Sequence, residues 1–400
     1  MTKIHLMLKT HQPRRINEYS FFDLGKHKSY FNEGLNRIII QRIAENCYLP
    51  TIKLLKRLIK ESQHTFKFSL SISGTTIDQL EKYRPDIILK FLELISTGNV
   101  EVLNEPYYHS LAYFYSKDEF FSQVELHRKK IKDLFNVEPV TFVNTELTYN
   151  NQIGVDLFNL GFKGILAEGA EWALRGANSD YEYFAKDADL NVFFRNHGLS
   201  NDVVYRFSDK SREYYPLKPS IYYKWLLKPT GDILNLFWDF ETFGEYHKKE
   251  SNIFSFLEKL IKKITKSRNL EFAKFSETMR KSTEINRINI PQTVSWADQE
   301  KDLSAWRSNA MQYEALVRIY ELEKQVKELH DPEILKTWRN LQTSDHFYYM
   351  STKGFTDGAI LNYFSPFLTP HDAYRYYMNV LSDFEIMINK TIYSNSLHKN

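Results

Sequence analysis

The sequence predicts an α/β fold, a distorted (β/α)7 barrel followed by a C-terminal helical region. Three observations predict it. Seven short apolar or alternating runs punctuate the first part of the chain. Most are separated by patterns of helical period, as parallel strands with right-handed crossovers require. No Gly-rich phosphate turn follows the first run, which weakens the open doubly wound alternative.

The strand runs are, in order, KIHLMLK (3–9), FKFSLSI (66–72), NVEVL (99–103), PVTFV (139–143), FKGIL (162–166), NVFFR (191–195) and ILNLFW (233–238). Between them, TIKLLKRLIK (51–60) places Ile52, Leu55, Leu58 and Ile59 on one helical face. Residues 84–98 put Pro85 at a helix start and Gly98 just past its end. Ser116 and Glu119 stand at capping-box spacing before a face of Phe120, Val124, Ile131 and Leu134. A further helical pattern (150–161) ends on Gly161. From about residue 250 the strand pattern stops, and 252–264, 305–329, 331–342 and 371–392 all read as helices. Asp331 and Pro332 sit at a cap and first position, and His371 follows a second start signal, Leu-Thr-Pro. The expected organisation is a barrel over 1–250 and a helical region over 251–400 that packs on it, since no Gly/Ser linker separates them.

Bulk composition narrows the function classes. A chain of 400 residues with 42% apolar and 15% aromatic content has enough for a sizeable core. A formal charge of +3, with 53 basic against 50 acidic residues, is a poor footprint for nucleic acid. One cysteine, Cys47, excludes an internal disulfide framework and a Cys-based zinc site, and fits a reducing compartment. The opening MTKIHLMLKTHQP is too short for a signal peptide or a membrane span. The expectation is a cytoplasmic protein that engages neither nucleic acid nor membrane.

Barrel enzymes build their sites where the strands end. Here the strand ends carry His11-Gln12-Pro13, Glu101 and Glu105, Asn144-Thr145-Glu146, Glu168, Asn196-His197, and Asp239 with Glu241. Capping alone would supply one or two polar residues, not polar residues at six strand ends. The chemistry such a rim suggests is proton transfer or nucleophilic attack by carboxylates. Glycoside hydrolysis needs two of them, and Glu146 and Asp239 can converge across a barrel mouth. Taken singly, each motif has a plainer reading. Asp239-Phe-Glu241 can cap a turn, His11 can be a satisfied histidine before a Pro-fixed turn, and Trp296-Ala-Asp298 can be an apolar anchor before a cap. No H-x-x-x-H, H-x-H or H-x-x-E-H spacing occurs, so no metal site is expected.

Five short regions, in order, resemble glycoside hydrolase family 57, the α-amylase and 4-α-glucanotransferase family. They are HQP (11–13), GNVEV (98–102), VNTELTYNN (143–151), DFETFGEYH (239–247) and VSWADQEKDLSAW (294–306). Each is weak alone; five in order are specific, and HQP with SWAD leans to the amylase-like branch. The resemblance implies a (β/α)7 barrel with a C-terminal helical bundle and a retaining mechanism on α-1,4-glucans or maltooligosaccharides, with no metal or other cofactor in the chemical step. It implies that Glu146 is the nucleophile and Asp239 the general acid and then base. His11 and Glu101 would hold the sugar, while Trp296 and Asp298 would reach the cleft from outside the barrel. Glu241, two residues past Asp239, would bind or orient the substrate. The same catalytic pair also suits a 4-α-glucanotransferase, and a non-catalytic glucan-binding homologue is the further alternative.

Overall fold

In a computed structural model the chain is described over residues 1–26, 28–280, 286–353 and 365–397. Ten strands form among these residues: β1 (Thr2–Thr10), β2 (Phe68–Ile72), β3 (Val100–Val102), β4 (Thr141–Val143), β5 (Gly164–Glu168), β6 (Tyr183–Ala185), β7 (Asn191–Arg195), β8 (Ile233–Asp239), β9 (Leu270–Phe272) and β10 (Arg287–Ile288). Seven of them are the seven runs read from the sequence. They fall in two sheets, ordered β3-β2-β1-β8 with β9 also on β1, and β10-β6-β7-β5-β4. All strand pairs are parallel except β6–β7.

The two sheets join into a ring at both seams. Between β3 and β4, Asn104 N donates to Thr141 O at 3.0 Å and Val143 N to Asn104 O at 2.9 Å. Between β7 and β8, Asn196 N donates to Asn235 O at 2.9 Å, and the Asn235 side-chain amide donates to Phe194 O at 2.8 Å. The result is the expected seven-stranded barrel, β1-β2-β3-β4-β5-β7-β8. Strands covered on both faces must be apolar almost throughout, and β2 and β5 are buried at every position.

Side chains fill the barrel. Met7, Leu103, Val143, Leu166, Phe193 and Phe237 meet inside it, with Phe275 against them. Truncating a buried aromatic such as Phe237 to alanine costs about 3–5 kcal/mol. A larger cluster packs the helices Leu49–Glu61, Pro85–Ile95 and Ile253–Ile264 onto the β1 side. Another packs the C-terminal helices, through Leu316, Ile319, Trp338 and Phe384, onto the β5–β7 side.

Three local expectations are corrected. Strands do not stop near residue 250, because β9 pairs with β1 and β10 with β6; both are too short for a periodic signal. Residues 305–329 are not one helix. Asn309 breaks the run by capping Gln312 N at 2.9 Å, giving Ser304–Arg307, Ala310–Glu321 and Glu323–Glu328. The capping box at Lys117–Phe135 is half made. Ser116 accepts from Glu119 N at 3.2 Å, but the buried Glu119 carboxylate accepts instead from Arg339 Nε at 2.8 Å. That ion pair ties a barrel helix to the C-terminal helix Pro332–Leu341.

Candidate active site

A cavity of about 150 Å³ opens at the C-terminal ends of the strands. Strand alternation selects what lines it. On β1 the inward positions two apart deliver Met7 to the core, then Lys9, then His11 just past the strand end. On β8 the register sets Asp239 opposite Lys9. After β8 the chain turns at once through Phe240–Thr242, and both Asp239 and Glu241 still line the cavity.

Glu146 is held by its backbone as much as by its side chain. It adopts φ 55° and ψ 32°, and Leu147 follows at φ 54°. Two successive left-handed residues with side chains cost about 1–2 kcal/mol each. The surroundings fix them there. Leu147 is sunk among the barrel-interior side chains. The Glu146 carbonyl accepts from Ser295 Oγ at 2.9 Å and from Trp296 N at 3.1 Å. The carboxylate then accepts from His109 Nε2 at 2.7 Å and from the Trp296 indole N–H.

Charge in the cavity is arranged asymmetrically. Lys9 Nζ lies 3.3 Å from His109 Nε2 and 3.4 Å from its Nδ1, over the ring. It also lies 5.5 Å from the centre of the Trp296 ring, and the Arg195 guanidinium lies 5.3 Å from it. Burial alone would raise Glu146, but the His109 bond, Lys9 and the Trp296 bond outweigh it and hold the carboxyl down to about 2. Asp239 goes the other way: burial, aided by the Glu146 charge, lifts it to about 6 against Lys9 and Arg195. Burial lifts Glu241 to about 8, with the Asp239 charge adding to it and a Tyr48 bond opposing. The Tyr48 hydroxyl donates to Glu241 Oε1 at 2.7 Å and the Gln12 amide donates to the same oxygen at 3.3 Å.

Trp296, Asp298, Trp306, Asp345 and Tyr348 come from beyond the barrel strands and line the opposite wall. Tyr348 donates to Asp298 at 3.3 Å. His11 meets Ser73 Oγ through Nδ1 at 2.7 Å and Asp345 Oδ2 through Nε2 at 2.9 Å. Its ring lies against that of His109, centroids 4.0 Å apart and planes tilted by 34°. His11, His109 and Asp345 present ligand-type atoms within 4.8 Å of one another. Both nitrogens of each imidazole already face a partner, so a cation there would have to displace Ser73, Glu105, Glu146 or the His11–Asp345 bond.

Six of the seven residues expected at the site line this cavity: Glu146, Asp239, His11, Trp296, Asp298 and Glu241. Glu101 does not. Its carboxylate accepts from Thr141 Oγ1, from Ser69 Oγ at 3.2 Å and from Ser276 N at 3.2 Å. Leu103, packed in the barrel interior, separates it from the mouth. The β3 chain continues inward two by two as Glu101, Leu103, Glu105, and it is Glu105 that reaches His109, at 3.5 Å. Lys9, His109, Arg195, Asp345 and Tyr348 went unread in the sequence. Lys9 had a signal, lying two residues before His11 on one strand face. His109 and Asp345 sit in turn and helix segments with no periodic cue. Glu168, expected at the rim, stands behind it and accepts from Arg195 at 3.2 Å.

The pattern that defines Glycosyl hydrolase family 57 matches residues 5–291. A Methanocaldococcus jannaschii protein named "Putative alpha-amylase" is 38% identical over 98% of this chain and 86% of its own length. The chain belongs to glycosyl hydrolase family 57. It is therefore a glycoside hydrolase by family. The fold agrees. A branching enzyme of the family from Thermococcus kodakaraensis superimposes with a TM-score of 0.68 at 15% identity, covering 90% of this chain and 87% of that one. The α-amylase AmyC of Thermotoga maritima gives 0.61 at 13%, covering 99% and 97%. The 4-α-glucanotransferase of Thermococcus litoralis gives 0.64 at 14%, and there the match covers 86% of this chain but 56% of the longer enzyme. No helix among the described residues is long and apolar enough to cross a membrane.

Proposed function

We propose that the protein is a retaining α-1,4-glucan hydrolase of the amylase type, in which Glu146 attacks the anomeric carbon and Asp239 protonates the departing oxygen. One observation carries this reading: two carboxylates share one cavity in surroundings that shift them in opposite directions, Glu146 bonded to His109 and Trp296 beside Lys9, and Asp239 buried next to the Glu146 charge. A nucleophile must be ionised, and the His109 bond with Lys9 and Trp296 keeps Glu146 so. A general acid must hold a proton near neutral pH, and burial beside Glu146 raises Asp239 to about 6. Once the glycosyl-enzyme forms, the Glu146 charge is consumed. The upward push on Asp239 is then relaxed, and Asp239 becomes a base for the incoming water. His11, Glu241, Trp296 and Asp298 are proposed to bind and orient the sugar from the two walls. The same pair serves a glucanotransferase when a second glucan replaces water as acceptor.

The experiment is product analysis with maltoheptaose for the parent protein, Glu146→Gln and Asp239→Asn, with and without a chelator. Shorter maltooligosaccharides alone, abolished in Glu146→Gln, reduced about 10²–10⁴-fold in Asp239→Asn and indifferent to chelator, support the hydrolase. Longer products as well identify a glucanotransferase. Absence of turnover on any α-glucan overturns the enzyme reading.

A further inference from the structure

A second cavity, of about 640 Å³, lies next to the first and shares a wall with it. The wall is the helix His197–Val204 and the residues that follow it. Asn201 and Tyr205, one turn apart, line the first cavity. Asp202 and Arg206, each one residue on and so about 100° round the helix axis, line the second.

The second cavity has an aromatic side and a polar side. Tyr214 and Tyr215 are 45% and 44% exposed there. Trp225 meets Tyr214 edge to face at 5.0 Å and is backed by the buried Tyr222 at 6.1 Å. Tyr222 is itself pinned by a 2.8 Å bond to Leu199 O. The platform is thus braced from behind while its outer rings stand in solvent. On the polar side, Arg206 pairs with Asp202 at 3.0 Å and Arg212 with Asp209 at 3.4 Å.

This combination discriminates between ligand classes. A phosphate or carboxylate is drawn to clusters of cations whose charge is unspent; here both arginines are paired and, among the described residues, Lys228 is the one lining cation left without an ion pair. An apolar ligand leaves two ion pairs without purpose. A pyranose presents an apolar C–H face to an aromatic ring and a rim of hydroxyls that both donate and accept. Paired Arg and Asp side chains offer donors and acceptors together. We propose that this cavity is an auxiliary binding site for a neutral oligosaccharide, an α-glucan chain held beside the active-site cleft. The identity of the sugar rests on the function proposed above. Holding one stretch of a polymer there raises the local concentration of its other residues at the cleft, so the site favours long glucans over short ones.

The test is gel retardation by amylopectin, paired with kcat/KM on maltotriose, for the parent protein, Glu146→Gln, Tyr215→Ala and the double variant Tyr214→Ala/Tyr215→Ala. The tyrosines are half exposed, and thermal melting checks that the variants fold. The expected result is retardation at least about fivefold weaker in the double variant, the size of losing aromatic contacts, and a partial loss in Tyr215→Ala. Maltotriose turnover stays at the parent level, and Glu146→Gln is retarded normally. Unchanged retardation in the double variant, no retardation of the parent protein, or equal loss of binding and maltotriose turnover each overturns the site. Failure of the catalytic reading looks different: no turnover by the parent protein, with retardation that still depends on the two tyrosines.

Discussion

His109 donates from Nε2 to Glu146 across 2.7 Å, while its Nδ1 faces Glu105 at 3.5 Å. Burial and Lys9 push the imidazole toward neutrality, but the two carboxylates prevail and raise it. Glu105 in turn, despite burial, is held down to about 2 by His109 and Lys9. His109 therefore aims Glu146 and keeps it ionised. His109→Gln should lower kcat/KM about 10–100-fold, the worth of one hydrogen bond to a charged group. It should also move the acidic limb of the pH profile upward, because Glu146 loses its main charge-stabilising partner. A fall carried wholly by a raised KM, with an unmoved acidic limb, would instead make His109 a sugar contact.

Lys9 acts on both carboxylates in the same direction, lowering each. Activity should fall above about pH 6 as Asp239 loses its proton. Lys9→Met should shift both limbs of the bell to higher pH, since both groups become harder to ionise. A pH profile of kcat/KM for the two proteins decides it. A variant profile lowered in height but fixed in position would show that Lys9 only shapes the cavity.

Glu241 predicts a stability effect. Its folded value, about 8, lies above the ordinary carboxylate range. The folded protein thus keeps a proton that the unfolded chain releases. The associated stability is present in full below about pH 4 and is lost as the pH rises toward 8. Glu241→Gln keeps an acceptor for Tyr48 and removes the titration. Its melting temperature should fall less than the parent's between pH 5 and 9. Parallel curves for the two proteins would refute the assignment.

Glu101 should matter to folding and not to sugar. Two of its three donors, Thr141 and Ser69, are buried beside it, and the third, the Ser276 amide, is part-buried. Glu101→Ala strands them at about 1–3 kcal/mol, read as a lower melting temperature. The folded variant should keep the parent's KM for maltoheptaose. A raised KM at an unchanged melting temperature would return Glu101 to the substrate.

The seven barrel strands were legible because each lies in a short apolar or alternating run bounded by patterns of helical period. Tyr183–Ala185, Leu270–Phe272 and Arg287–Ile288 were not, each being two or three residues long, whereas the equally short β3 and β4 sit inside five-residue runs at 99–103 and 139–143. At the site, His11 follows its strand directly, Asp239 ends its strand and Glu146 stands three residues past its own, and position relative to a strand end can be read. Glu101 lies two residues short of the rim on the inward face, since periodicity says which way a side chain points and not how deep it lies. His109, Asp345 and Tyr348 reach the cavity through long-range packing, which leaves no trace in local spacing. Glu146 itself hides its most unusual property: nothing in Asn-Thr-Glu-Leu announces two left-handed residues.

The far wall of the cavity, Trp296 to Tyr348, lies late in the chain. During translation the polypeptide leaves the ribosome from its amino end. The ring of strands through Asp239 emerges first, and Trp296, Asp345 and Tyr348 follow it. Until they dock, Glu146 lacks its indole partner and His11 lacks its carboxylate. A half-made chain keeps Lys9 and His109 beside Glu146 but lacks the wall that closes the cavity over both acidic groups. The cavity is therefore complete only once residues 296–348 have joined the ring of strands.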